Sequence, residues 1–478
     1  MLGDRLMSRV STFFDYIKDK KISFIGVGVS HNDLIRLFLK KGFDVSVCDA
    51  KTLGDESVPD KDKFSSAIYE EFLKMGAKFY LGKDEYMNGV LNSDIVFRTP
   101  GMYFNHQDIK TAREKGVIVT SETELFFDLC PCKTYAITGS DGKSTTTTLV
   151  KEFFERDGKK VFFGGNIGKP LLSRIEEITE DDVAVVELSS FQLISMRESP
   201  YAAAITNITP NHLNVHGTME EYIESKCNIL YHQNAFSKAV LNYDNENTRN
   251  LAPLVRGKLS FFSRQSIPET GSFLSQDGWL CYNDNGSVTK VLHKDDIRIP
   301  GIHNVENFLT AIALTWGDVS VESIVKTAKE FGGVEHRIEF VREFEGVRYY
   351  NDSIASSPTR VMAGLNSFDR KLIVIMGGSD KGISFAPMAP LILEKVKLLI
   401  VMGETAKAIR AAVEECDGFN ESGIKIIDVK DMNEAVRTAR ENAVSGDIVS
   451  LSPACASFDM YRMFEERGNH FKQIVNEL

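Results

Sequence analysis

The 478-residue sequence lacks the features that mark membrane and secreted proteins. No apolar run is long enough to span a bilayer, and residues 1–20 are charged and amphipathic, unlike a signal peptide. The seven cysteines, an odd number in a long chain, favour reduced thiols over a disulfide framework. There is no internal repeat and no low-complexity tract. We therefore expect a cytoplasmic protein.

The chain also lacks an excess of positive charge. Its formal net charge of −11 argues against nucleic acid or an anionic membrane as a general partner, so an anionic substrate would need a locally basic site. Cys130 and Cys132 have no second cysteine pair and an uncommon spacing, so we do not expect a metal site there. With 43% apolar and 26% charged residues, a chain of this length predicts an ordinary globular protein with several domains.

A glycine-containing loop follows the strand-forming residues 135–137 and precedes a segment, through residue 154, that is typical of a helix. In this order, backbone amides and a helix N-terminus face an anion, a lysine reaches terminal phosphates, and a hydroxyl can hold Mg²⁺. The loop and the helix start supply these groups from Gly139, Ser140, Asp141, Gly142, Lys143, Ser144 and Thr145. A full Walker A motif would have glycine where Ile137 stands. Taken alone, the pattern also fits a glycine turn that caps a helix.

The N-terminal block resembles a dinucleotide-type βαβ unit. A buried strand enters a turn with Gly26 and Gly28, and a second strand ends in Asp49 about twenty positions later. The third glycine of the fingerprint is missing, because His31 stands there, so a nucleotide diphosphate other than NAD fits as well. A further strand at 94–98 ends in a turn at Gly101. These elements predict a small Rossmann-like domain over residues 1–122.

Two further blocks alternate strands with helices. The second has predicted strands at 161–163, 183–188, 203–208 and 239–242, hairpins within 264–297, and helices at 304–314 and 321–331. The third, after a linker at 332–333, has predicted strands at 348–351, 372–376, 398–401 and 448–451. The sequence thus predicts an α/β protein of three domains: Rossmann-like (1–122), central and P-loop-type mononucleotide-binding (123–333), and again Rossmann-like (334–478).

Polar side chains stand at the predicted strand ends of the central block. Glu187 closes an apolar strand, where open α/β sheets place ligand contacts, and could share Mg²⁺ with nucleotide phosphates rather than face solvent. A glycine turn at 163–170 frees Asn166 to contact substrate. His212 follows another buried strand. It belongs to the third polar motif in succession at a predicted strand end, after 139–145 and 187–190, and this succession favours a metal site. Lys226, in a predicted helix, would by default be a solvated surface residue.

In the third block, polar side chains again follow the predicted strands. Arg337 follows the linker and is suited to a phosphate in a cleft between blocks. Polar segments at 351–356, 377–382 and 451–457 each follow a predicted strand and would form one rim. Lys381 suits a carboxylate, and Ser457 can add hydroxyl and backbone donors. Ser356 alone fits a turn or a helix cap equally well.

These motifs, in this order, resemble the Mur ligase family. The resemblance covers nearly the whole chain, at 26–30, 137–146, 164–168, 187–192, His212 with Lys226, 335–337, 351–353, 377–382 and 452–457. The phosphate-loop string is shared across the superfamily, including folylpolyglutamate synthases. The strings at 187–192 and 452–457 are similar to those of the D-glutamate-adding members.

The resemblance implies an ATP-dependent ligase that adds D-glutamate to UDP-N-acetylmuramoyl-L-alanine through an acyl phosphate, in peptidoglycan precursor synthesis. It implies catalysis by Lys143, Glu187, His212 and Lys226, with one Mg²⁺ on Ser144 or Thr145 and Glu187. A second Mg²⁺ would use His212 and a carbamylated Lys226. The implied ligand contacts are Asn242, Asn245, Arg337 and Asp352, besides the loop, for ATP; Gly28, Val29, Ser30, Asp49, Gly101, Asn166 and Ser189 for the UDP-substrate; and Ser356, Lys381, Ser457, Phe458 and Phe464 for D-glutamate. We expect a monomer with no nucleic-acid or membrane partner.

The sequence departs from the family's pattern at three points. Asn211 and Asn214 stand where the family often has aspartate, which weakens any role of these side chains at the metal. Ile354 stands where lysine is frequent, so one cationic contact of the rim is absent. The spacing from His212 to Lys226 is one residue shorter than in some members. None of these departures removes one of the four predicted catalytic residues.

Three alternatives remain open. A Mur ligase could use another amino acid or another nucleotide-sugar acceptor. A nicotinamide-dependent oxidoreductase could use the first Rossmann-like unit, although the missing glycine and the ATP-type loop argue against it. A non-catalytic nucleotide sensor would keep the loop but would not need Glu187, His212, Lys226 and Lys381 together.

Overall fold

The computed structural model of the chain describes residues 2–28, 30–54, 63–380 and 382–478. Three β-sheets, each built from one stretch of the chain, organise these residues. Contacts group the chain into two compact units, Met1–Leu292 with Glu306–Thr327, and His293–Val305 with Ala328–Leu478. The predicted α/β architecture is confirmed. The domain boundaries at 122 and 333 stay predictions.

The first sheet is parallel and has the strand order β3-β2-β1-β4-β5 in the described residues. Its strands are β1 (Lys21–Ile25), β2 (Asp44–Asp49), β3 (Lys78–Leu81), β4 (Ile95–Arg98) and β5 (Ile118–Thr120). The associated helices are α1 (Leu2–Ile17), α2 (Asn32–Lys40), α3 (Ser66–Lys74), α4 (Tyr86–Leu91), α5 (Gln107–Glu114) and α6 (Glu122–Leu129). The order reverses between β1 and β4, and the turns after these strands therefore flank the crevice where doubly wound sheets bind ligands.

The second sheet carries the glycine-containing loop. Its order is β14-β13-β12-β11-β10-β9-β6-β8-β7 in the described residues. The strands are β6 (Lys133–Thr138), β7 (Val161–Gly165), β8 (Val183–Glu187), β9 (Ala202–Ile205), β10 (Lys238–Asn242), β11 (Lys258–Ser263), β12 (Thr270–Leu274), β13 (Trp279–Asp284) and β14 (Ser287–His293). The helices are α7 (Lys143–Arg156), α8 (Ser190–Leu193), α9 (Leu213–His216), α10 (Met219–Tyr231), α11 (Glu246–Arg249), α12 (Ile302–Thr315) and α13 (Val321–Glu330). Strands β6 to β12 pair in parallel, and β13 runs antiparallel to β12.

One apolar cluster joins the first two sheets. It runs from Phe24 and Phe38, beside the first sheet, through Leu125 and Phe126 of α6 to Leu172 beside the second. Burial of large apolar side chains on both sides of α6 makes this helix a packed connection rather than a loose linker. The turns of both sheets therefore keep fixed positions within one compact unit.

The third sheet, in the second unit, has the order β15-β16-β20-β17-β18-β19 in the described residues. The strands are β15 (Glu339–Phe344), β16 (Val347–Asn351), β17 (Leu372–Gly377), β18 (Val396–Met402), β19 (Lys425–Asp428) and β20 (Ile448–Leu451). The helices are α14 (Pro358–Leu365), α15 (Ala389–Lys395), α16 (Ala406–Glu414), α17 (Phe419–Ser422), α18 (Met432–Asn442) and α19 (Phe464–Glu477). Only the β15–β16 pair is antiparallel among the pairings described. Strands β16, β20 and β17 are neighbours, so the segments that follow them meet at one edge.

The described residues do not meet the requirements for membrane-spanning helices or for disulfide bonds. In the described part of the chain, no helix is both long and apolar enough to cross a membrane. All seven cysteines are free thiols. The sulfur atoms of Cys130 and Cys132 lie 3.6 Å apart, too far for a covalent bond.

Candidate active site

The loop between β6 and α7 has the shape of an anion cradle. Gly139 and Gly142 have φ values of 149° and 80°, where a side chain would be strained. A Cβ atom at Gly139 would collide with Thr206, and one at Gly142 with Asn307. Helix α7 begins at Lys143, directly after the loop, so its N-terminus faces the loop as predicted.

The segment after β9 braces this loop. The Thr206 hydroxyl donates to the Asp141 carbonyl (2.6 Å), and the Asp141 N–H donates to Oδ1 of Asn207 (3.0 Å). Ser140 donates its N–H to the Asn207 carbonyl (2.8 Å) and its hydroxyl to the Thr209 carbonyl (3.0 Å). The donors of Ser140 are therefore engaged by the segment after β9, which fixes the conformation of the loop.

The residues that start α7 lie beside the loop. The Nζ atom of Lys143 donates to the carbonyls of Gly139 (3.0 Å) and Ser140 (2.8 Å), so the side chain folds back over the loop. Ser144 is buried and Thr145 is half-buried in the first turn. This placement fits a lysine that can exchange loop carbonyls for phosphate oxygens.

Glu187, at the end of β8, carries an unsatisfied buried oxygen. Its Oε1 atom accepts a hydrogen bond of 2.7 Å from the side-chain amide of Asn166. Its Oε2 atom is buried and has no hydrogen-bond partner among the described residues. A buried carboxylate oxygen without a partner is costly, and it indicates that a ligand completes the site.

Lys226, on α10, is only 1% exposed by residue, although a lysine in this helix was expected at the surface. That default expectation is wrong, because the side chain turns inward beneath the phosphate loop. Its Nζ atom donates to the Gly139 carbonyl (2.8 Å) and to the Thr138 hydroxyl (3.4 Å). Burial, and then the positive charge of Lys143, lower the pKa of Lys226 to about 7.

His212, the last of the four predicted catalytic residues, is exposed. It precedes α9 in a left-handed conformation (φ 54°), and its exposed ring lies 5.2 Å from the ring of Phe191. Burial lowers the pKa of His212, and so do the charges of Lys143 and Lys226. The charge of Glu187 also acts on Lys226. The structure thus brings the four predicted catalytic residues together. The side chain of Asn214 lies outside the described residues.

The available donors fit Mg²⁺. The unpaired Glu187 oxygen and the hydroxyls of Ser144 and Thr145 are hard oxygen ligands, and Mg²⁺ favours one or two carboxylates with phosphate oxygens and water. Among the described side chains, no three or more His, Cys, Asp or Glu residues come together as a metal site. The oxygen donors of Glu187 and of the start of α7 suit the ion.

A cavity of about 340 Å³ lies between the turns of the first two sheets. It is lined by Gly28, Ser30, Thr99, Pro100, Ser121, Glu122, Thr123, Gly165, Asn166, Gly168, Pro170 and Gln192. The structure thereby joins predicted substrate residues from both sheets. Ser189 does not line the cavity, but it caps α8 and holds Gln192, whose N–H donates to its hydroxyl (3.3 Å).

Two predicted substrate residues have local roles beside this cavity. Oδ2 of Asp49 accepts from the Val27 N–H (3.2 Å) and Oδ1 from the Lys51 N–H (2.9 Å), so the carboxylate holds the glycine turn. Gly101 is exposed in the turn after β4. Val29 lies outside the described residues.

Glu122 and Thr123, at the start of α6, are site residues that sequence reasoning missed. Oε1 of the buried Glu122 accepts from the N–H groups of Leu171 (2.8 Å) and Leu172 (2.7 Å), and burial raises the pKa of Glu122. The Thr123 hydroxyl accepts from Nε2 of Gln192 (3.1 Å). These contacts hold two walls of the cavity. An acidic residue in the first turn of a helix was the available signal, and it indicates only a favourable dipole contact.

Asn242 and Asn245 brace the loop region from the other side. Nδ2 of Asn242 donates to the Thr206 carbonyl (2.8 Å), and Oδ1 of Asn245 accepts from the Ile208 N–H (3.3 Å). Asn245 also caps α11. Both side chains therefore fix the segment that braces the phosphate loop, and their contact with adenine stays a prediction.

In the second unit, Asp352 follows β16 and is buried. Its Oδ1 atom accepts from the Ile338 N–H (3.2 Å). Burial raises the pKa of Asp352 to about 7, although the positive charges of Arg337 and Arg360 act in the opposite direction. Arg337 is half-buried and lies between two residues with left-handed backbone, His336 and Ile338.

The remaining predicted residues lie at or near the edge formed by β16, β20 and β17. Ser457 is buried, and its carbonyl accepts from the N–H groups of Met460 (3.1 Å) and Tyr461 (2.7 Å). Phe458 is 72% exposed. Phe464 begins α19, with its ring centroid 5.8 Å from that of His336. Ser356 is half-buried after β16, and Lys381 lies outside the described residues.

Comparison with known proteins gives a consistent result. The Mur ligase middle domain matches residues 137–315, and the Mur ligase, glutamate ligase domain matches residues 336–455. The chain is 46% identical over 473 residues to UDP-N-acetylmuramoylalanine--D-glutamate ligase of Acetivibrio thermocellus, covering 98% of this chain and 99% of the relative. It is 44% identical over 467 residues to the protein of the same name in Clostridium acetobutylicum, covering 98% of each.

A solved structure shares the fold. The crystal structure of UDP-N-acetylmuramate-alanine ligase MurC from Thermotoga maritima aligns with a TM-score of 0.57 at 17% identity, over 96% of this chain and 99% of that chain. The family matches and the near full-length relatives establish that the chain belongs to the Mur ligase family.

Proposed function

We propose that this ligase joins the terminal carboxylate of UDP-N-acetylmuramoyl-L-alanine to the amine of D-glutamate and converts ATP to ADP and phosphate. The names of the relatives at 46% and 44% identity support the substrates. The observation that carries the proposal is the unpaired buried oxygen of Glu187 in the same site as Lys143 and Lys226. A buried carboxylate oxygen without a partner, in a site with two lysines, fits a site built for bound phosphates and their metal ion.

The chemistry has two steps. A carboxylate oxygen of the UDP-substrate attacks the terminal phosphorus of ATP, which breaks the bond to ADP and forms an acyl phosphate. The free amine of D-glutamate then attacks the acyl carbon, and the C–O bond to phosphate breaks as the amide forms and the nitrogen loses a proton. Activation is needed because a carboxylate is a poor electrophile, and positioning with charge neutralisation supplies most of the catalysis.

The side chains of the first unit divide these tasks. Lys143 exchanges its bonds to the loop carbonyls for bonds to the terminal phosphate. Asn166 orients Glu187 through the 2.7 Å hydrogen bond. The family uses ATP and Mg²⁺, and bound Mg²⁺ would offset the charge of the phosphates from the side of Glu187, Ser144 and Thr145.

A second Mg²⁺ site at His212 and a carbamylated Lys226 is part of the proposal. The amine of Lys226 is buried, and among the described residues it donates to one carbonyl and one hydroxyl rather than to a carboxylate. Carbamylation, by addition of the neutral amine to CO₂ and loss of a proton, would replace a cation that repels the metal with an anion that binds it. With ¹³C-bicarbonate, the wild-type protein should give a carbamate ¹³C resonance that Lys226→Ala lacks. Equal spectra would contradict this part.

The other ligand contacts stay as predicted. ATP would also contact Gly139, Ser140, Asp141, Gly142, Asn242, Asn245, Arg337 and Asp352; the UDP-substrate would contact Gly28, Val29, Ser30, Asp49, Gly101, Asn166 and Ser189; and D-glutamate would contact Ser356, Lys381, Ser457, Phe458 and Phe464. A cytoplasmic monomer remains the expected form.

Product analysis by mass spectrometry tests the proposal. The enzyme is incubated with ATP, Mg²⁺ and UDP-N-acetylmuramoyl-L-alanine, with one amino acid in each reaction. We expect one new product, with D-glutamate, whose mass equals the sum of both substrates minus water. A product with L-lysine, diaminopimelate or L-alanine would keep the ligase reaction and replace the amino acid. No product with any amine would refute the proposal.

A further inference from the structure

Arg467, on α19, is a fully buried arginine to which the proposed chemistry gives no task. Its Nε atom donates to the Ser353 hydroxyl (3.0 Å), and one terminal nitrogen donates to the Ala456 carbonyl (3.0 Å). The other terminal nitrogen donates to the carbonyls of Ser353 (2.9 Å) and Cys455 (3.2 Å). Among the described residues, the four acceptors of the Arg467 hydrogen bonds are thus all neutral oxygens.

These acceptors belong to two strand-end segments, and a third segment comes close. Ser353 follows β16, whereas Cys455 and Ala456 follow β20. Gly378, which follows β17, lies beside the guanidinium. A Cβ atom built on Gly378 would be 3.1 Å from a terminal nitrogen of Arg467. The Ser379 N–H also donates to the Ala456 carbonyl (3.1 Å). One planar group therefore binds two neighbouring segments at this edge of the sheet and lies close to the third.

Burial of a charge without an anionic partner is expensive, and it lowers the pKa of Arg467 to about 10. An apolar side chain could fill the same volume at lower cost, but it could not bind four oxygen acceptors in a fixed plane. The buried guanidinium therefore indicates that the backbone around it has to be placed accurately. The same three segments carry Ser356, Lys381 and Ser457, the residues predicted for D-glutamate.

We propose that Arg467 is the positioning residue of the amino-acid subsite: its hydrogen bonds fix the strand-end segments at 353–356 and 455–457 relative to one another, without contact to the substrate. The described part of the third segment, 377–380, is held against them by the hydrogen bond from Ser379 to Ala456. The inference rests on the proposed function, because it assigns the amino-acid step to these segments. ATP use depends on it less, since the Asp352 carboxylate is held by the Ile338 N–H and not by Arg467.

Two variants and a matched control test this role. Arg467→Met removes all four hydrogen bonds, and Arg467→Lys keeps a cation that can satisfy part of them. Arg342, on β15, is the control, because its guanidinium also donates to carbonyls of α19, those of Val475 (3.2 Å) and Asn476 (2.9 Å), at the far end of the helix. Arg342→Met should change stability alone.

The first readout separates the two chemical steps. Hydroxylamine attacks an acyl phosphate and releases phosphate as the hydroxamate forms, so it reports the step that needs ATP and the UDP-substrate but no amino acid. Hydroxamate formation should stay within threefold of wild type in all three variants. The kcat/KM for D-glutamate should fall about 100-fold in Arg467→Met and about tenfold in Arg467→Lys, and stay unchanged in Arg342→Met.

Several results would overturn the inference. These are an unchanged kcat/KM for D-glutamate, a parallel loss of hydroxamate formation, or a KM for ATP that rises with the KM for D-glutamate. If neither Arg467 variant folds, Ser353→Ala takes their place, because it removes one acceptor, and an unchanged KM for D-glutamate would then refute the role. A wild-type enzyme that forms no hydroxamate would instead refute the proposed function, which keeps the two failures distinct.

Discussion

The amine of Lys226 donates a 2.8 Å hydrogen bond to the carbonyl of Gly139, the first residue of the phosphate loop. Lys226 lies on α10, 87 positions further along the chain, and the contact is buried. The loop and the metal-binding side of the site are thus one assembly, because the residue that supports the loop is also the proposed ligand of a second metal ion.

Lys226→Met should nearly abolish catalysis without unfolding the protein. The variant loses the side chain proposed to hold a metal ion near the transferred phosphoryl group, so we expect kcat to fall about 1,000-fold. Removal of a buried amine spares its desolvation cost, and the melting temperature should be unchanged or higher. Phosphate release and calorimetry measure the two effects. Activity within tenfold of wild type would contradict the assignment.

Glu187→Gln should weaken the dependence on Mg²⁺ specifically. The amide keeps an oxygen that can accept from Asn166, but it lacks the negative charge that attracts the ion. The Mg²⁺ concentration for half-maximal rate should rise at least tenfold. Glu180→Gln, at an exposed position of the same unit, is the control and should leave the titration unchanged. Coincident Mg²⁺ titrations of Glu187→Gln and wild type would exclude Glu187 as a ligand.

Glu122→Gln should affect the UDP-substrate more than ATP. The carboxylate accepts two backbone N–H groups that shape one wall of the cavity, and an amide in its place buries an NH₂ group beside those donors. We expect the KM for the UDP-substrate to rise about tenfold and the KM for ATP to change less than twofold. Initial rates with each substrate varied separately give both constants. Equal changes in the two would argue for a general structural defect.

Asp352 should make the stability of the second unit depend on pH. The pKa is about 7 in the folded chain against 3.8 for the free side chain, so the folded state binds the proton more tightly. Its contribution is therefore fully present below pH 3.8 and is lost as the pH rises through 7. The free energy of unfolding of Asp352→Asn relative to wild type should therefore rise between pH 4 and pH 8, by about 4 kcal/mol at most. The relative melting temperature should rise with it. A pH-independent difference in calorimetry would show that the carboxylate is not buried in this way.

Much of the fold could be predicted because apolar runs end in glycine or polar residues. The strand–loop–helix from 135 to 154 and the strands at 44–49 and 183–188 follow this rule, and the structure confirms them, with the last strand ending at Glu187. Strands β3, β15 and β19 were missed; they lie at sheet edges and are only partly buried. Strand β11, which lies between β10 and β12, was missed as well. The prediction of a strand through residue 208 was too long. Residues 206–208 leave the sheet to brace the phosphate loop.

The part of the candidate site that could be predicted consists of polar side chains at or after the ends of parallel strands. Glu187, His212 and Lys143 stand where parallel sheets place ligand contacts, so residue type and position sufficed. The burial of Lys226 and the roles of Glu122 and Arg467 were not predictable. Each depends on at least one partner 49 or more positions away in the chain, and a single sequence contains no local pattern for such contacts.

Inorganic phosphate released from ATP in the presence of Mg²⁺ reports the proposed ligase reaction directly. We predict release that requires both UDP-N-acetylmuramoyl-L-alanine and D-glutamate, at one phosphate for each amide formed, and that is lost in Lys143→Ala. Release that is independent of either substrate, or that persists in Lys143→Ala, would contradict it.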